Sequence, residues 1–378
     1  MHDDRKRIVF LDWLRVVACL MVMVVHACEA FYFDADGNTC FRTLSDARWA
    51  AWTDAPCRAA VPLFVMASSF LLFPLTRSTG DFFRRRLVRV FIPFAVWLGV
   101  YAVSWGLDWG QLVFNFPFAA GHLWFVPMLL GLYLLMPLLS PWAEKVSKAE
   151  LKGWIAVWLF TTLFPFIRKL WGVLYGDASV SWGHTFGVAT AQTPFLWGEC
   201  PWNSFGMFHY VSGFFGFLLL GFYFRRFLPQ LSWRRTLVWA IPLWVVGYAI
   251  VGGLFYFRIP FDGTFPLVRP YELAVDLETS WEFCGIGLVM TVIAYFLVFR
   301  KLNMAGVFYD RLIRPISEAS YGMYLMHMLI LTPVVDFYRT FLPTPMTIFA
   351  TAFTTFALVA LFSVLLRRIP RLGSYIVG

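Results

Sequence analysis

The sequence predicts an all-α polytopic membrane protein with about ten transmembrane helices and with both termini in the cytoplasm. Of its 378 residues, 60% are hydrophobic and only 14% are charged, and a soluble protein of this length could hardly bury so much apolar surface. Apolar runs of about 18–25 residues recur along the chain, and each is long enough to cross a bilayer. The predicted spans are 8–32, 59–75, 88–107, 124–139, 154–174, 207–225, 236–257, 280–300, 316–338 and 347–366.

The positions of the basic residues predict the orientation. Most of the 31 lysines and arginines fall in alternate segments that share one side of the membrane when the N-terminus is inside. This pattern also accounts for the net charge of +9 without a nucleic-acid partner. We expect a multi-pass protein embedded in the lipid bilayer, with one transmembrane domain over residues 1–378 and no separate soluble domain.

The first span carries ionisable residues that a membrane helix rarely has. It reads IVFLDWLRVVACLMVMVVHACEAFYF from Ile8. On a helix, Arg15 and His26 differ by only about 20° around the axis and by about 16 Å along it. The residues that share this stripe are Asp12, Arg15, Cys19, Val22, His26 and Glu29. Because charged groups are costly in hydrocarbon, the stripe is either a polar seam between helices or a catalytic or ligand-binding seam.

His26 is the leading catalytic candidate. It lies about 27 Å along the helix from Ile8, toward the outer side of the membrane. A neutral imidazole can take a proton from a hydroxyl, and Glu29, one turn further on, could orient the ring and stabilise the imidazolium. Cys28 points about 200° away from His26, so a Cys–His nucleophile pair is disfavoured.

A basic segment at the cytoplasmic start of the third span, FFRRRLVRVFIPF, is a candidate anion-binding site. Arg86 and Arg89 are three residues apart and share a helix face, and Arg85 is four residues from Arg89. Paired guanidinium groups suit phosphate oxygens. Arg15 lies toward the same side of the membrane. The alternative is an ordinary basic anchor at the cytoplasmic surface.

A polar stripe also runs along the ninth span, on Ser317, Ser320, Tyr324 and His327. These side chains either hydrogen-bond between helices or line a path. His122, at the outer start of the fourth span, and Glu282, at the outer end of the eighth, are weaker candidates for binding an acceptor. His122 could equally lie at the wet membrane interface.

The six cysteines form no metal-binding pattern, because no C-x-x-C pair occurs. Cys40 and Cys57 share a predicted outer loop, where a disulfide is possible. Two longer outer segments, 175–206 and 258–279, suggest a binding surface that faces away from the cytoplasm. Trp and Tyr also collect at membrane interfaces, however.

Four motifs together resemble acyltransferase family 3, the integral-membrane O-acyltransferases. They are LDWLRVVACLMVMVVH (Arg15 and His26 as R-x10-H), RRLVRVFIP (an R-x-x-R pair before a proline), HLWFVPMLLGLY and SYGMYLMH. They occur in family order from residue 11 to about residue 330. Glu29 and the two long outer segments have no counterpart in the general family pattern.

The resemblance implies transfer of an acyl group, usually acetyl, from cytoplasmic acyl-coenzyme A to a hydroxyl of an extracytoplasmic carbohydrate or glycolipid. By motif position His26 would be the catalytic histidine and Arg15 its essential partner, while Arg86 and Arg89, with Arg85 beside them, would hold the coenzyme. Tyr324 and His327 are candidates for the donor site and for the oxyanion. No metal is expected.

Two other functions remain open. In a proton-coupled transporter or flippase, the intramembrane Arg, His and Glu residues would carry protons or balance substrate charge. The lack of a visible internal repeat weakly disfavours that architecture. A non-catalytic scaffold subunit would leave the first-span stripe unexplained.

Overall fold

The structure is a computed structural model that describes residues 7–106, 108, 110, 118–167, 170, 205–370 and 372–378. In this part of the chain, eight helices are long and apolar enough to cross a membrane, and a pair bent by 47° makes a ninth. The prediction of an all-α polytopic membrane protein is therefore confirmed. The predicted total of ten membrane spans is reached only if the 25-residue helix Arg314–Tyr338 is counted as a further span. That count and the orientation stay predictions.

The helices, numbered in chain order, are α1 (Val9–Glu29), α2 (Leu44–Cys57), α3 (Ala60–Leu72), α4 (Thr79–Arg86), α5 (Ile92–Trp105), α6 (Phe125–Lys145), α7 (Lys148–Thr161), α8 (Phe215–Arg226), α9 (Trp233–Tyr248), α10 (Leu254–Phe257), α11 (Tyr271–Glu278), α12 (Ile286–Phe299), α13 (Arg314–Tyr338), α14 (Thr344–Arg367) and α15 (Gly373–Ile376). Among the described residues, π-helical turns lie at Leu87–Phe91, Ala249–Gly253 and Tyr309–Ile313, and 3₁₀ turns at Phe118–Leu123, Gly206–Val211 and Thr279–Trp281. The strands are β1 (Thr39–Phe41) and β2 (Leu267–Arg269).

Four helices begin at a serine or threonine that satisfies a free main-chain N–H. Thr43 and Asp46 form a reciprocal capping box at the start of α2, with bonds of 3.0 and 3.1 Å. Ser78, Ser147 and Ser232 cap α4, α7 and α9 in the same way, each with a single bond. Local sequence therefore determines where these helices start.

The chain forms two compact units. The first comprises Met1–Ala27, Leu63–Lys145 and Val298–Gly378. Within it, α13 and α14 form a closely packed hairpin. Gly322 lies so near Ser363 and Val377 that a Cβ at this position would overlap them, and the Ser363 hydroxyl donates to the Ala319 carbonyl at 2.7 Å.

The second unit comprises Cys28–Pro62 and Val146–Leu297. In it β1 pairs antiparallel with β2, with Thr39 opposite Arg269 and Phe41 opposite Leu267. The Thr39 hydroxyl donates to the Pro270 carbonyl at 3.1 Å and accepts from the Ala274 N–H at 2.9 Å, which fixes the start of α11.

Helices α7 and α8 also meet closely in the second unit. Gly216 leaves room for the fully buried ring of Trp158, whose Nε1 donates to the Gly213 carbonyl at 2.8 Å. A side chain at Gly216 would overlap that ring.

Several predicted boundaries were wrong. The fourth span does not end at residue 139, because α6 continues to Lys145 through Pro137 and Pro141; neighbouring groups in a helical bundle make such prolines tolerable. The predicted loop before residue 59 is largely helix α2. Cys40 and Cys57, placed in that loop, are free cysteines.

Candidate functional site

Three histidines from distant parts of the chain lie side by side in the first unit. His26 is on α1, His122 on the 3₁₀ turn before α6, and His327 on α13. The ring centroids of His26 and His327 are 4.9 Å apart, and those of His122 and His327 are 5.3 Å apart. His327 is fully buried, whereas His26 is half-buried. The structure thus joins residues that the sequence placed on separate segments.

Two tyrosine hydroxyls hold the main chain beside these rings. Tyr324 donates to the His122 carbonyl at 2.7 Å, and Tyr101 donates to the Leu325 carbonyl at 3.0 Å. The Tyr101 ring also meets the His122 ring edge-on at 4.5 Å. Since a buried carbonyl that loses its donor is costly, both hydroxyls fix the histidine-bearing segments in place.

Two ring nitrogens in this group are covered by protein and have no hydrogen-bond partner. They are Nε2 of His122 and Nε2 of His327. Buried polar atoms are nearly always paired, so an unpaired one in a native structure calls for an explanation. A role in binding or proton transfer supplies one.

Arg15 lies on the same face of α1 as His26, beside an anchored carboxylate. Its guanidinium is 3.5 Å from Asp12. Asp12 is buried and accepts bonds of 2.6 Å from Tyr309 and Ser317 and bonds of 2.6 and 3.0 Å from Arg7. This network joins the start of α1 to the start of α13, so the role of Asp12 is structural.

The network also affects Arg7, which precedes α1. Burial opposes the charged form of Arg7, but hydrogen bonds and charge from Asp12 and Glu318 raise its pKa above the ordinary value. Arg7 therefore stays charged and completes the anchoring of Asp12.

The predicted basic segment forms a cluster of positive charge in the first unit. Arg85, Arg86, Arg77 and Arg367 all lie near enough to Arg89 to repel it. Such a concentration of positive charge favours binding of an anion.

Arg86 has a specific environment within this cluster. Its guanidinium carbon lies 5.3 Å from the centre of the Tyr133 ring and 5.6 Å from that of Phe82, within cation–π range. Its Nε atom is buried without a hydrogen-bond partner. Tyr133 also lies within electrostatic range of Arg15, so the structure brings Arg15 and Arg86 to the same tyrosine.

Arg89 lies in the π-helical turn Leu87–Phe91. Pro93 follows this turn, and because proline has no N–H it cannot bond the Arg89 carbonyl four residues earlier. The same relation holds between Pro315 and the turn Tyr309–Ile313. Turns of this kind are frequent at functional sites.

Glu29 and Glu282, the two remaining candidates, belong to the second unit. Both lie within electrostatic range of Glu278, and Glu282 also within range of Arg58. Glu29 further interacts with Asp54. They therefore border a polar cluster that the sequence analysis did not identify.

Arg58 is the centre of this cluster. It donates to both oxygens of the fully buried Asp54 at 2.6 and 3.0 Å, and to the Tyr32 hydroxyl at 3.2 Å. The Tyr32 hydroxyl in turn donates to Glu278 at 2.8 Å. The ring of Trp281 lies 4.4 Å from the Arg58 guanidinium carbon. The available signal was that Asp54 and Arg58 are four residues apart, a spacing typical of helical ion pairs.

No group of three or more His, Cys, Asp or Glu side chains in the described part of the chain is arranged to hold a metal ion, the three histidines included. The predicted outer segment 175–206 lies outside the described residues except for Phe205 and Gly206.

Comparison with known proteins identifies the family of the chain. The sequence profile described as an acyltransferase domain, that of acyltransferase family 3, matches residues 8–364, nearly the whole chain. No curated protein and no solved structure matches the chain. The match includes all four motifs from which the resemblance was drawn. The chain therefore belongs to acyltransferase family 3 and is a membrane acyltransferase that transfers groups other than amino-acyl groups.

Proposed function

We propose that this protein moves an acyl group, acetyl in the first instance, from acyl-coenzyme A at the cytoplasmic face to a hydroxyl of an extracytoplasmic acceptor. The acceptor is a carbohydrate or glycolipid of the cell envelope, and the protein resides in the bacterial inner membrane. The observation that carries the proposal is the half-buried His26, on the same helix as Arg15 and beside the fully buried His327, whose ring also meets that of His122.

His26 is the general base. It is half-buried while the neighbouring His327 is fully covered, so of these two rings His26 is the one that a substrate can reach. It takes the proton of the acceptor hydroxyl, the oxygen attacks the thioester carbonyl, and the thiolate of coenzyme A leaves and is protonated. Removing such a base typically costs about 10²–10⁴-fold in rate.

The arginine cluster is the donor site. Arg85, Arg86 and Arg89 supply guanidinium groups for the phosphates of the coenzyme, and the unpaired Nε of Arg86 is a free donor. Arg15 extends the basic surface toward His26. The axial distance of about 16 Å between Arg15 and His26 is one that an extended pantetheine arm can bridge.

The oxyanion needs a donor. The Tyr324 hydroxyl already donates to the His122 carbonyl, and Nδ1 of His327 lies 2.5 Å from the Tyr324 carbonyl oxygen, so either group would have to give up that contact to serve the oxyanion. Glu29, three residues after His26 on the same helix, supplies a negative charge that favours the imidazolium, and His122 borders the acceptor.

Purified protein in proteoliposomes, supplied with labelled acetyl-coenzyme A and an envelope glycan extract, tests the proposal. Mass spectrometry then identifies the acylated product. We expect His26→Gln to lower transfer by about 10²-fold or more, and Glu29→Gln to lower it less. The matched control is His209→Gln, because His209 is an exposed histidine of the second unit; this variant should transfer normally.

Full transfer by His26→Gln would overturn the mechanism. Proton-coupled uptake of a glycan precursor without any acyl-coenzyme A, abolished by His26→Gln, would instead favour the transporter.

A further inference from the structure

The protonation of the His327 ring is fixed by its surroundings. Its Nδ1 lies 2.5 Å from the main-chain carbonyl oxygen of Tyr324. A carbonyl oxygen only accepts hydrogen bonds, so Nδ1 carries the proton. In the neutral ring, Nε2 then carries the lone pair. This lone pair is buried and has no partner.

The lone pair belongs to a ring that lies beside that of His26. The two ring centroids are 4.9 Å apart with planes inclined by 41°, a separation at which ring nitrogens can approach to hydrogen-bond distance, about 3 Å. Catalytic hydrogen bonds are often long before a substrate is bound and tighten during reaction.

The carbonyl that orients His327 is itself held in place. Tyr324 donates through its hydroxyl to the His122 carbonyl, and Tyr101 ties the neighbouring Leu325 carbonyl. This part of α13 is therefore bonded on both sides, so His327 has little freedom to turn away from His26.

We propose that His327 is a positioning residue of the acyl transfer, whose Nε2 accepts a hydrogen bond from the N–H of His26. This inference rests on the proposed function. The second nitrogen of His26 then faces the acceptor with its lone pair. When His26 removes the hydroxyl proton, its imidazolium is held by His327 until the leaving thiolate takes that proton. In the overall reaction, one hydroxyl and one thioester give one acyl ester and one thiol.

The choice of amide side chains separates this role from simple packing. Asparagine at position 327 places its amide where Nδ1 lies, so it can still bond the Tyr324 carbonyl but offers nothing at the Nε2 position. Glutamine reaches the Nε2 position and restores an acceptor there. Leucine fills the space and restores neither.

The experiment compares His327→Asn, His327→Gln and His327→Leu in the same proteoliposome assay, with His209→Gln as control. We expect the Asn and Leu variants to lose about 10²-fold in kcat, and the KM values of both substrates to change by less than about twofold. The Gln variant should keep kcat within about tenfold of the parent protein.

Equal activity of the Asn and Gln variants, or a loss expressed mainly in KM, would overturn the inference. If the Leu variant does not fold, the Asn–Gln pair still decides. If the proposed function is wrong, the His26→Gln variant will show full transfer. If His26→Gln is inactive but His327→Asn is fully active, only the positioning role of His327 is overturned.

Discussion

The hydroxyl of Tyr324 donates a 2.7 Å hydrogen bond to the main-chain carbonyl of His122, more than 200 positions earlier in the chain. This one bond connects two of the three histidine-bearing segments, and the ring of the same tyrosine lies 5.6 Å from that of His327. The polar stripe on α13 is thus used at this point to join helices rather than to line an open path.

The first prediction concerns this bond. Tyr324→Phe keeps the ring but leaves the His122 carbonyl without its donor, which should cost about 1–3 kcal/mol of unfolding free energy. We expect kcat to fall and the KM for acyl-coenzyme A to stay unchanged, because the hydroxyl holds a carbonyl rather than the donor. Thermal unfolding in detergent measures the loss of stability, and initial-rate kinetics measure kcat and KM. A raised KM with unchanged kcat would assign the hydroxyl to the coenzyme instead.

The second prediction concerns the donor site. Arg86→Ala and Arg89→Ala should each raise the KM for acyl-coenzyme A by about 10-fold or more, since a hydrogen bond to a charged group contributes about 1.5–3 kcal/mol. The increase should be smaller at high salt, because salt screens exposed charge.

Arg84→Ala is the matched control for these variants, since Arg84 is an exposed arginine in the same segment. Titration with coenzyme A by calorimetry gives an independent reading. Unchanged affinity in both test variants would show that the cluster is only a membrane anchor.

The third prediction concerns Arg58 and Asp54. Arg58→Leu leaves a fully buried carboxylate without its partner, which typically costs about 3–5 kcal/mol. The double variant with Asp54→Leu should recover much of that loss, because it removes both charges. Arg269→Ala is the control, since its ion pair with Asp262 is exposed on both sides and such pairs contribute about 0–1 kcal/mol. Equal stability of Arg58→Leu and Arg269→Ala would contradict the buried-pair interpretation.

The fourth prediction concerns orientation. If both termini are cytoplasmic, green fluorescent protein fused after Gly378 should fluoresce and alkaline phosphatase fused there should be inactive. Fusion after Thr340, between α13 and α14, should give the opposite pair of results. Active phosphatase at the C-terminus would show that the orientation is the opposite of the predicted one, and the donor face would then have to be assigned to the other side of the membrane.

Hydrophobic patterning determined the fold class because a span depends on local composition. The predicted first span, 8–32, lies within a few residues of α1, and 347–366 lies within α14. Boundaries failed where local composition misleads. The predicted fourth span ends at residue 139, yet α6 continues through Pro137 and Pro141 to Lys145. The predicted loop before residue 59 is largely α2, whose Asp54 and Arg58 pair with each other.

The sequence by itself determined that α1 carries Arg15 and His26 on one face about 16 Å apart, because helical periodicity converts spacing directly into geometry. It also located the arginine cluster, whose members are neighbours in the chain. Only the tertiary structure decided that His26, His122 and His327 meet, that Asp12 is an anchor, and that Arg58 gathers its own polar cluster. Most of these contacts join residues tens to hundreds of positions apart. Their distances depend on how whole helices pack, and a local sequence pattern does not contain that information.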